Sequence, residues 1–215
     1  MIGPLAIVDL ETTGTSATYG RIIEIGVIRV EKGKVVRAYE SLVDPECYIH
    51  PMIEQLTGIG NRDVMGAPLF SEISREVAGL LEGAIFVAHN ARFDVGFLKQ
   101  EFARVGRAFS PRCLCTMKLS RRLYPEHRRH DLGSISEGCR LDCPARHRAM
   151  GGARAVHAFL EYLEEQEPPD RLQGALQHVL KDTRLPPQIE RTDVRALPDT
   201  SGVYLFYGAQ GELLY

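Results

Sequence analysis

The 215-residue sequence lacks the features of a membrane protein, of an exported protein and of a protein that coats nucleic acid. Its apolar runs are far too short to span a bilayer. Its N-terminus, MIGPLAIVDLE, has no basic segment and carries acidic residues where a signal peptide needs its cleavage site. Lys and Arg (26) do not outnumber Asp and Glu (28), which argues against affinity built from many phosphate contacts. We therefore expect a cytoplasmic globular protein. The slightly negative net charge does not exclude an enzyme that binds a few nucleotides through a metal ion.

Cysteine is also scarce, and its pattern argues against a disulfide framework. There are five cysteines, an odd number, in a chain that shows no export signal. Cys113-x-Cys115 and Cys139-xxx-Cys143 could supply four zinc ligands, but neither has the common C-x-x-C spacing. We interpret these residues as small, partly buried side chains and keep a zinc site only as the less favoured alternative.

Strand and helix patterns alternate along most of the chain. Three β-branched stretches joined by turns predict an antiparallel meander, and two later apolar stretches predict short buried strands between helices. Ser71, Thr116 and Asp131 are expected to cap helices. This order indicates an α/β fold with a mixed five-stranded sheet and helices on both faces. The predicted strands are 3–10, 21–30, 35–43, 84–88 and 111–115, and the main helices are 71–83, 91–105, 116–125, 131–138 and 145–165.

The first strand, in LAIVDLETTG, ends with two carboxylates one residue apart. Side chains i and i+2 of a strand point to the same face, so Asp9 and Glu11 lie side by side. Two carboxylates forced together at the end of a buried strand repel each other. A shared proton or a divalent cation relieves that repulsion. We interpret the pair as half of a metal site.

Asp94 and His147 are the residues that best complete such a site. Asp94 follows a short strand and lies at the start of a helix, and in α/β sheets ligands collect at the carboxyl ends of strands. Three carboxylates favour Mg²⁺ or Mn²⁺ over zinc. Two such ions, about 3.5–4 Å apart, are typical of phosphodiester hydrolysis. The reaction also needs a base near neutral pH, and His147 is the best placed of the seven histidines.

Three segments together resemble the three motifs of the DEDDh (DnaQ-like) 3′–5′ exonuclease family. They are DLETTG (9–14), HNARFDVGFL (89–98) and HRAMGGA (147–153), and LTGI (56–59) and HDL (130–132) are similar as well. The resemblance extends from about residue 2 to residue 163, with the motifs in order. It implies a ribonuclease H-like exonuclease fold. It also places the chain near the proofreading subunit of bacterial replicative DNA polymerase.

The resemblance implies a role for each matching residue. Asp9, Glu11 and Asp94 would bind Mg²⁺ or Mn²⁺, and His147 would be the catalytic base. The substrate would be single-stranded DNA or a DNA 3′ end, and a DNA polymerase or repair proteins would be partners. The sequence does not distinguish DNA from RNA. The 3′-terminal nucleotide would be held by Thr12, Thr13, Gly14, His89, Asn90 and Phe93.

One position departs from that family. The family has a fourth metal-binding aspartate five residues after the histidine, and this chain has Gly152 there. Losing that carboxylate is expected to weaken metal binding and slow hydrolysis. Asp142, five residues before His147, and Glu24 on the second strand are weaker candidates to replace it. The sequence does not say whether Gly152 is natural or introduced.

The C-terminal part differs in character. The acidic, proline-bearing EEQEPPD break ends the exonuclease-like domain, predicted at 1–166, and a linker is predicted at 167–197, with a short helix at 173–181. Residues 198–215, with GVYLFY and a final LLY, resemble the opening hairpin of a GIY-YIG nuclease domain of the UvrC-like repair type. The arginine and glutamate that catalyse in that family would lie further on. We therefore expect a truncated start of such a domain, without chemistry of its own.

Three hypotheses follow for the function. The first is a metal-dependent 3′–5′ exonuclease acting on DNA. The second is a module of the same fold that binds a 3′ end and hydrolyses it slowly or not at all because of Gly152. The third is a scaffold in which Asp9 and Glu11 are solvated strand-end residues, and it leaves the order of the three motifs unexplained.

Overall fold

A five-stranded mixed sheet forms the centre of the computed structural model, which describes residues 3–141, residues 148–181 and Gly208. The strand order is β3-β2-β1-β4-β5. The first three strands form an antiparallel meander, and β4 and β5 run parallel to β1, as the sequence predicted. The strands are β1 (Leu5–Thr12), β2 (Ile22–Glu31), β3 (Lys34–Leu42), β4 (Ile85–Ala88) and β5 (Cys113–Cys115).

Helices cover both faces of the sheet. One buried cluster joins α2 and α3 to one face, and a second cluster joins α4, α5, α6 and α7 to the other. None of the helices within the described ranges is long and apolar enough to cross a membrane. The helices are α1 (Pro51–Thr57), α2 (Phe70–Leu81), α3 (Arg92–Arg104), α4 (Thr116–Leu123), α5 (Leu132–Gly138), α6 (Ala149–Gln166) and α7 (Pro169–Lys181).

The alternation of side chains along β1 decides where the two carboxylates point. Ala6 and Val8 belong to the cluster under α2 and α3, whereas Leu5 and Ile7 belong to the cluster under α6. Continuing the same alternation, Asp9 lies on the α6 face. The strand runs on to Thr12, beyond the predicted end at residue 10, so both carboxylates are within the sheet.

A glycine on β2 allows α6 to lie unusually close to the sheet. A Cβ atom on Gly26 would be 2.6 Å from both the carbonyl carbon of Ala149 and the amide nitrogen of Met150. Gly26 pairs with Asp9 across the strands. Only glycine leaves room for the first turn of α6 beside the carboxylate.

Two of the three predicted helix caps differ from expectation. Leu69, not Ser71, is the N-cap of α2, and the carboxylate of Glu72 accepts a hydrogen bond from the Leu69 amide at 2.7 Å. Thr116 is the first residue of α4 rather than its cap. Asp131 caps α5 as predicted and accepts a hydrogen bond from the Ser134 amide at 2.9 Å.

The segment expected to begin a linker continues the folded unit instead. Helix α7 buries Leu172, Ala175 and Val179 in the cluster under α6. Arg171 holds its start by donating to Glu167 at 2.8 Å and to the carbonyl of Leu123. The compact unit therefore reaches Lys181. The predicted hairpin at 198–215 lies outside the described residues, apart from Gly208.

Candidate active site

Three carboxylates meet where β1 and β4 reach the same edge of the sheet. Asp9 and Glu11 come from β1, and Asp94 is in the first turn of α3, just after β4. Burial, followed by the charges of Glu11 and Glu24, raises the pKa of Asp9 from 3.8 to about 8. Burial and the charge of Asp9 raise the pKa of Asp94 well above its ordinary value. The structure thus brings together the three residues that the sequence singled out as ligands.

Asp94 is the carboxylate of this cluster whose surroundings fit a bound cation best. Its side chain is 2% exposed, and its Oδ2 atom is buried without a hydrogen-bond partner. A buried carboxylate oxygen without a partner is costly. A divalent cation between Asp94 and Asp9 would satisfy this oxygen and offset the repulsion between the two groups.

Glu11 lies between carboxylates and one arginine. Burial and the charge of Glu24 raise its pKa from 4.5 to about 7, and Arg148 lowers it. Glu24 is the direct neighbour of Glu11 across β1 and β2. The pair forms a second like-charge contact beside the one between Asp9 and Asp94.

The carboxylate of Glu24 accepts hydrogen bonds from the start of α6. It is fully buried, and it accepts hydrogen bonds from Nε of Arg148 at 2.8 Å and from the Ala149 amide at 2.7 Å. The suggestion that Glu24 replaces the missing metal ligand does not fit these bonds. In the sequence, Glu24 stands out only as an acidic residue within the apolar stretch of β2. Its hydrogen-bond partners, Arg148 and Ala149, are 124 and 125 residues away in the chain.

Gly152 lies beside Asp9. A Cβ atom on Gly152 would be 2.6 Å from Cγ of Asp9 and closer still to one of its oxygens. Position 152, in the first turn of α6, therefore borders the carboxylate cluster, as expected of the position where the resembled family has its fourth aspartate.

Residues 142–147 are outside the described part of the chain, so the roles predicted for His147 and Asp142 stay predictions. The next residue, Arg148, is the N-cap of α6 and contacts Glu24. Arg148, the residue after His147, thus attaches the chain to β2 through Glu24.

The turn after β1 is held by its own threonines. Oγ1 of Thr12 donates to the carbonyl of Gly14 at 2.7 Å, and Thr12 is buried. Oγ1 of Thr13 accepts from the amide of Arg21 at 2.9 Å, and the Thr13 amide donates to the Arg21 carbonyl at 2.9 Å. The turn is therefore pre-formed next to Glu11, and its predicted contact with a nucleotide stays a prediction.

The three residues after β4 that are predicted to bind a nucleotide differ in whether their side chains are available for one. Both ring nitrogens of His89 are engaged, Nδ1 with Oγ1 of Thr116 at 3.0 Å and Nε2 with the carbonyl of His130 at 2.8 Å. Burial lowers the pKa of His89. Asn90 is exposed, and the ring of Phe93 is half-buried, 4.8 Å from that of Phe97. Asn90 and Phe93 can face a ligand, whereas His89 links β4 to the 116–130 segment.

The donor set fits a hard divalent cation. Within the described ranges, no three His, Cys, Asp or Glu side chains already have the arrangement of a metal cage. The unpartnered oxygen of Asp94 and the raised pKa values of Asp9 and Glu11 fit Mg²⁺ or Mn²⁺. Cys47, Cys113, Cys115 and Cys139 are free thiols.

Comparisons with known proteins agree on one kind of chemistry. A sequence model described as exonuclease (RNase_T) matches residues 6–160. The 3′-5′ exonuclease DinG of Bacillus subtilis (strain 168) is 39% identical over 163 residues, 74% of this chain and 17% of that protein. A Mycobacterium tuberculosis protein (strain CDC 1551 / Oshkosh), provisionally named as a bifunctional exonuclease/endonuclease, is 33% identical over 222 residues. That match covers 97% of this chain and 34% of the relative.

Solved structures show the same fold. Exonuclease X in complex with 5′ overhanging duplex DNA has a TM-score of 0.62 and 26% identity, covering 80% of this chain and 99% of that chain. The nuclease domain of 3′hExo, a DEDDh family member bound to rAMP, has a TM-score of 0.67 at 17% identity, covering 76% and 92%. The chain spans less than a fifth of the DinG protein and about a third of the mycobacterial relative.

Proposed function

Because the chain belongs to the exonuclease (RNase_T) family, whose pattern its residues 6–160 match, we propose that it is a metal-dependent exonuclease that removes nucleotides from DNA 3′ ends. The observation that carries this proposal is the buried oxygen of Asp94, left without a partner beside Asp9. The 3′–5′ direction and the DNA substrate are supported by what the DinG relative and the exonuclease X structure are named for.

Each residue has a defined task in this proposal. Asp9, Glu11 and Asp94 hold Mg²⁺ or Mn²⁺, which when bound supplies an activated water and charge neutralisation at the leaving oxygen. His147 removes a proton from the attacking water. The terminal nucleotide is held by Thr12, Thr13, Gly14, Asn90 and Phe93, while His89 fixes the end of β4.

A second candidate function rests on Gly152. The site has three carboxylates where the family has four, and Asp9 fills the space of the missing side chain. Fewer negative charges hold a divalent cation less firmly and position it less well. The second candidate is therefore a module that binds a 3′ end and hydrolyses it slowly or not at all.

One assay separates the two candidates. The protein, Gly152→Asp and Asp9→Ala are incubated with 5′-labelled single-stranded DNA and Mn²⁺. An impaired exonuclease produces a slow ladder from the 3′ end, Gly152→Asp accelerates it, and Asp9→Ala abolishes it. If the unchanged chain cuts at about 1–10³ s⁻¹ and Gly152→Asp adds nothing, the impairment is refuted. If Gly152→Asp is inert, the exonuclease proposal itself fails.

The chain also fits a larger protein with a second nuclease activity. We propose that residues 198–215 begin a GIY-YIG-type domain that follows the exonuclease domain. The mycobacterial relative supports this, because its match extends over 97% of the chain and its name combines an exonuclease with an endonuclease. A DNA polymerase or repair proteins are the partners we propose, and the test is activity of a longer protein on nicked or damaged duplexes.

A further inference from the structure

Positive charge is concentrated in one short segment next to the site. Residues 116–130 contain five Lys or Arg and a single carboxylate, Glu126, although the whole chain carries a net charge of −2. The segment comprises α4 and the loop that follows it. Such an asymmetry in an otherwise acidic chain indicates a surface for an anionic partner. The five cations are Lys118, Arg121, Arg122, Arg128 and Arg129.

The same segment stacks aromatic rings in a row. The ring of His127 lies 5.1 Å from that of Tyr124, at an interplanar angle of 16°. The ring of His130 lies 6.3 Å from that of His127, at an interplanar angle of 30°. His127 is exposed, whereas Tyr124 and His130 are half-buried. Aromatic side chains beside exposed positive charges are typical of surfaces that bind single-stranded nucleic acid.

Hydrogen bonds tie this row to the edge of the sheet that carries the carboxylates. The carbonyl of His130 contacts Nε2 of His89 at 2.8 Å, and Nδ1 of His130 contacts Oγ of Ser120 at 2.9 Å. His89 follows β4 directly, five residues before Asp94. The ring row is therefore tied to the end of β4, the strand that leads to Asp94.

The arginines of the segment are exposed to an external anion. Arg121, Arg122, Arg128 and Arg129 are exposed, and none forms a salt bridge with a residue in the described ranges. Hydrogen bonds from Ser134, and to a smaller extent the charge of Arg129, keep the pKa of Asp131 low. By contrast, Arg21 and Arg148 are held by the buried carboxylates of Glu101 and Glu24.

We propose that residues 121–130 form the track along which single-stranded DNA approaches the 3′-end site. The backbone phosphates contact Arg128 and Arg129, and a base packs against the exposed ring of His127. This inference rests on the proposed function, because it concerns the route to the same site. In this proposal, α4 and its loop provide the part of the affinity for single-stranded DNA that does not depend on a metal ion.

The test measures binding rather than cleavage. A 5′-fluorescent 15-nucleotide oligo-dT is titrated with the full chain in EDTA, so that no hydrolysis occurs. Arg128→Gln with Arg129→Gln is expected to weaken binding tenfold or more. It should also make the slope of log K against log salt less negative by roughly 1.4, since each single-strand phosphate contact contributes about 0.7. His127→Ala should weaken binding roughly five- to hundredfold with little change in slope, and His127→Phe should restore it.

A matched control removes two positive charges from the opposite edge of the sheet. Lys32 and Lys34 lie in and beside the exposed turn between β2 and β3, far from the ends of β1 and β4. Lys32→Asn with Lys34→Gln should leave binding within about twofold, and asparagine tolerates the positive φ of residue 32. Equal losses in the control and the Arg128/Arg129 variant would overturn the track, as would unchanged binding in the latter.

Two further measurements separate this inference from the proposed function. A dinucleotide too short to reach the track should be hydrolysed equally by Gly152→Asp with and without the two arginine changes. If the arginine changes weaken oligo-dT binding and Gly152→Asp hydrolyses nothing, the track stands and the exonuclease proposal fails. If a blunt duplex loses as much affinity as oligo-dT, the surface is a general polyanion site and the single-strand track is refuted.

Discussion

The carboxylate of Asp9 fills the space that a side chain on Gly152 would need. An added Cβ atom would be 2.6 Å from Cγ of Asp9, closer than two such atoms approach in real structures. The obstacle is the tip of a side chain, which can rotate, and not backbone. A residue larger than glycine at position 152 is therefore compatible with the fold but obliges the Asp9 side chain to move.

We first predict opposite effects of Gly152→Asp with and without metal. A fourth carboxylate adds repulsion to Asp9, Glu11 and Asp94, so in EDTA the Tm should fall below that of Gly152→Asn, which has the same shape without the charge. Mn²⁺ should raise the Tm of Gly152→Asp more than that of Gly152→Asn. Differential scanning fluorimetry measures both. Equal Mn²⁺ shifts in the two variants would contradict a ligand position at residue 152.

Asp94→Asn should stabilise the metal-free protein at pH 8 and remove its response to Mn²⁺. The amide keeps the shape of the buried side chain but does not add negative charge beside Asp9. Tm in EDTA should therefore rise, and the Mn²⁺-induced shift should disappear. Asp170→Asn, which removes an exposed carboxylate in the first turn of α7, is the control and should keep the full Mn²⁺ shift. A persistent shift in Asp94→Asn would show that Asp94 holds no metal.

The metal-free protein should lose stability as pH rises. The pKa of Asp9 increases from 3.8 to about 8 on folding and that of Glu11 from 4.5 to about 7. A carboxyl group whose pKa is higher in the folded state stabilises the folded state fully when the pH is below its pKa in the unfolded chain. This stabilisation is lost as the pH rises through its pKa in the folded protein. Tm in EDTA should therefore fall between pH 5 and pH 8, and less so in Asp9→Asn. A Tm that falls equally in both proteins would contradict the assignment to Asp9.

Glu24→Gln should loosen the start of α6. Glu24 is fully buried and accepts from Arg148 and from the Ala149 amide, and the amide side chain keeps only part of these bonds. We expect the free energy of unfolding to fall by about 1.5–3 kcal/mol, the usual range for a hydrogen bond to a charged group. Urea denaturation measures this.

The control for Glu24→Gln is Glu31→Gln. Glu31 pairs with Arg29 at 2.8 Å, but its side chain is 44% exposed. Loss of such a surface pair should cost at most about 1 kcal/mol. If both substitutions cost the same, Glu24 does not anchor α6 in the way the hydrogen bonds indicate.

Local patterns were sufficient to predict the sheet and the proximity of the three carboxylates. Alternation along β1 pairs Asp9 with Glu11, and the end of a short buried strand precedes Asp94, so each feature lies within a few residues. The role of Glu24 could not be predicted, because its partners are more than 120 residues away. The place of α7 was missed for another reason: prolines at its start resemble a linker, while Leu172 and Val179 meet the core only in three dimensions.

Hydrolysis by Gly152→Asp, with Gly152→Asn as its matched control, tests the account most directly. Mutating a residue that only supports the metal ligands typically lowers metal affinity or activity 10–100-fold. Restoring a residue that itself binds the metal should therefore raise the hydrolysis rate by at least about a hundredfold. With 5′-labelled single-stranded DNA and Mn²⁺, we expect Gly152→Asp to shorten the strand from its 3′ end at least that much faster than Gly152→Asn. Equal rates in the two variants, or products that arise from internal cuts, would contradict a carboxylate-held metal site that removes nucleotides from 3′ ends.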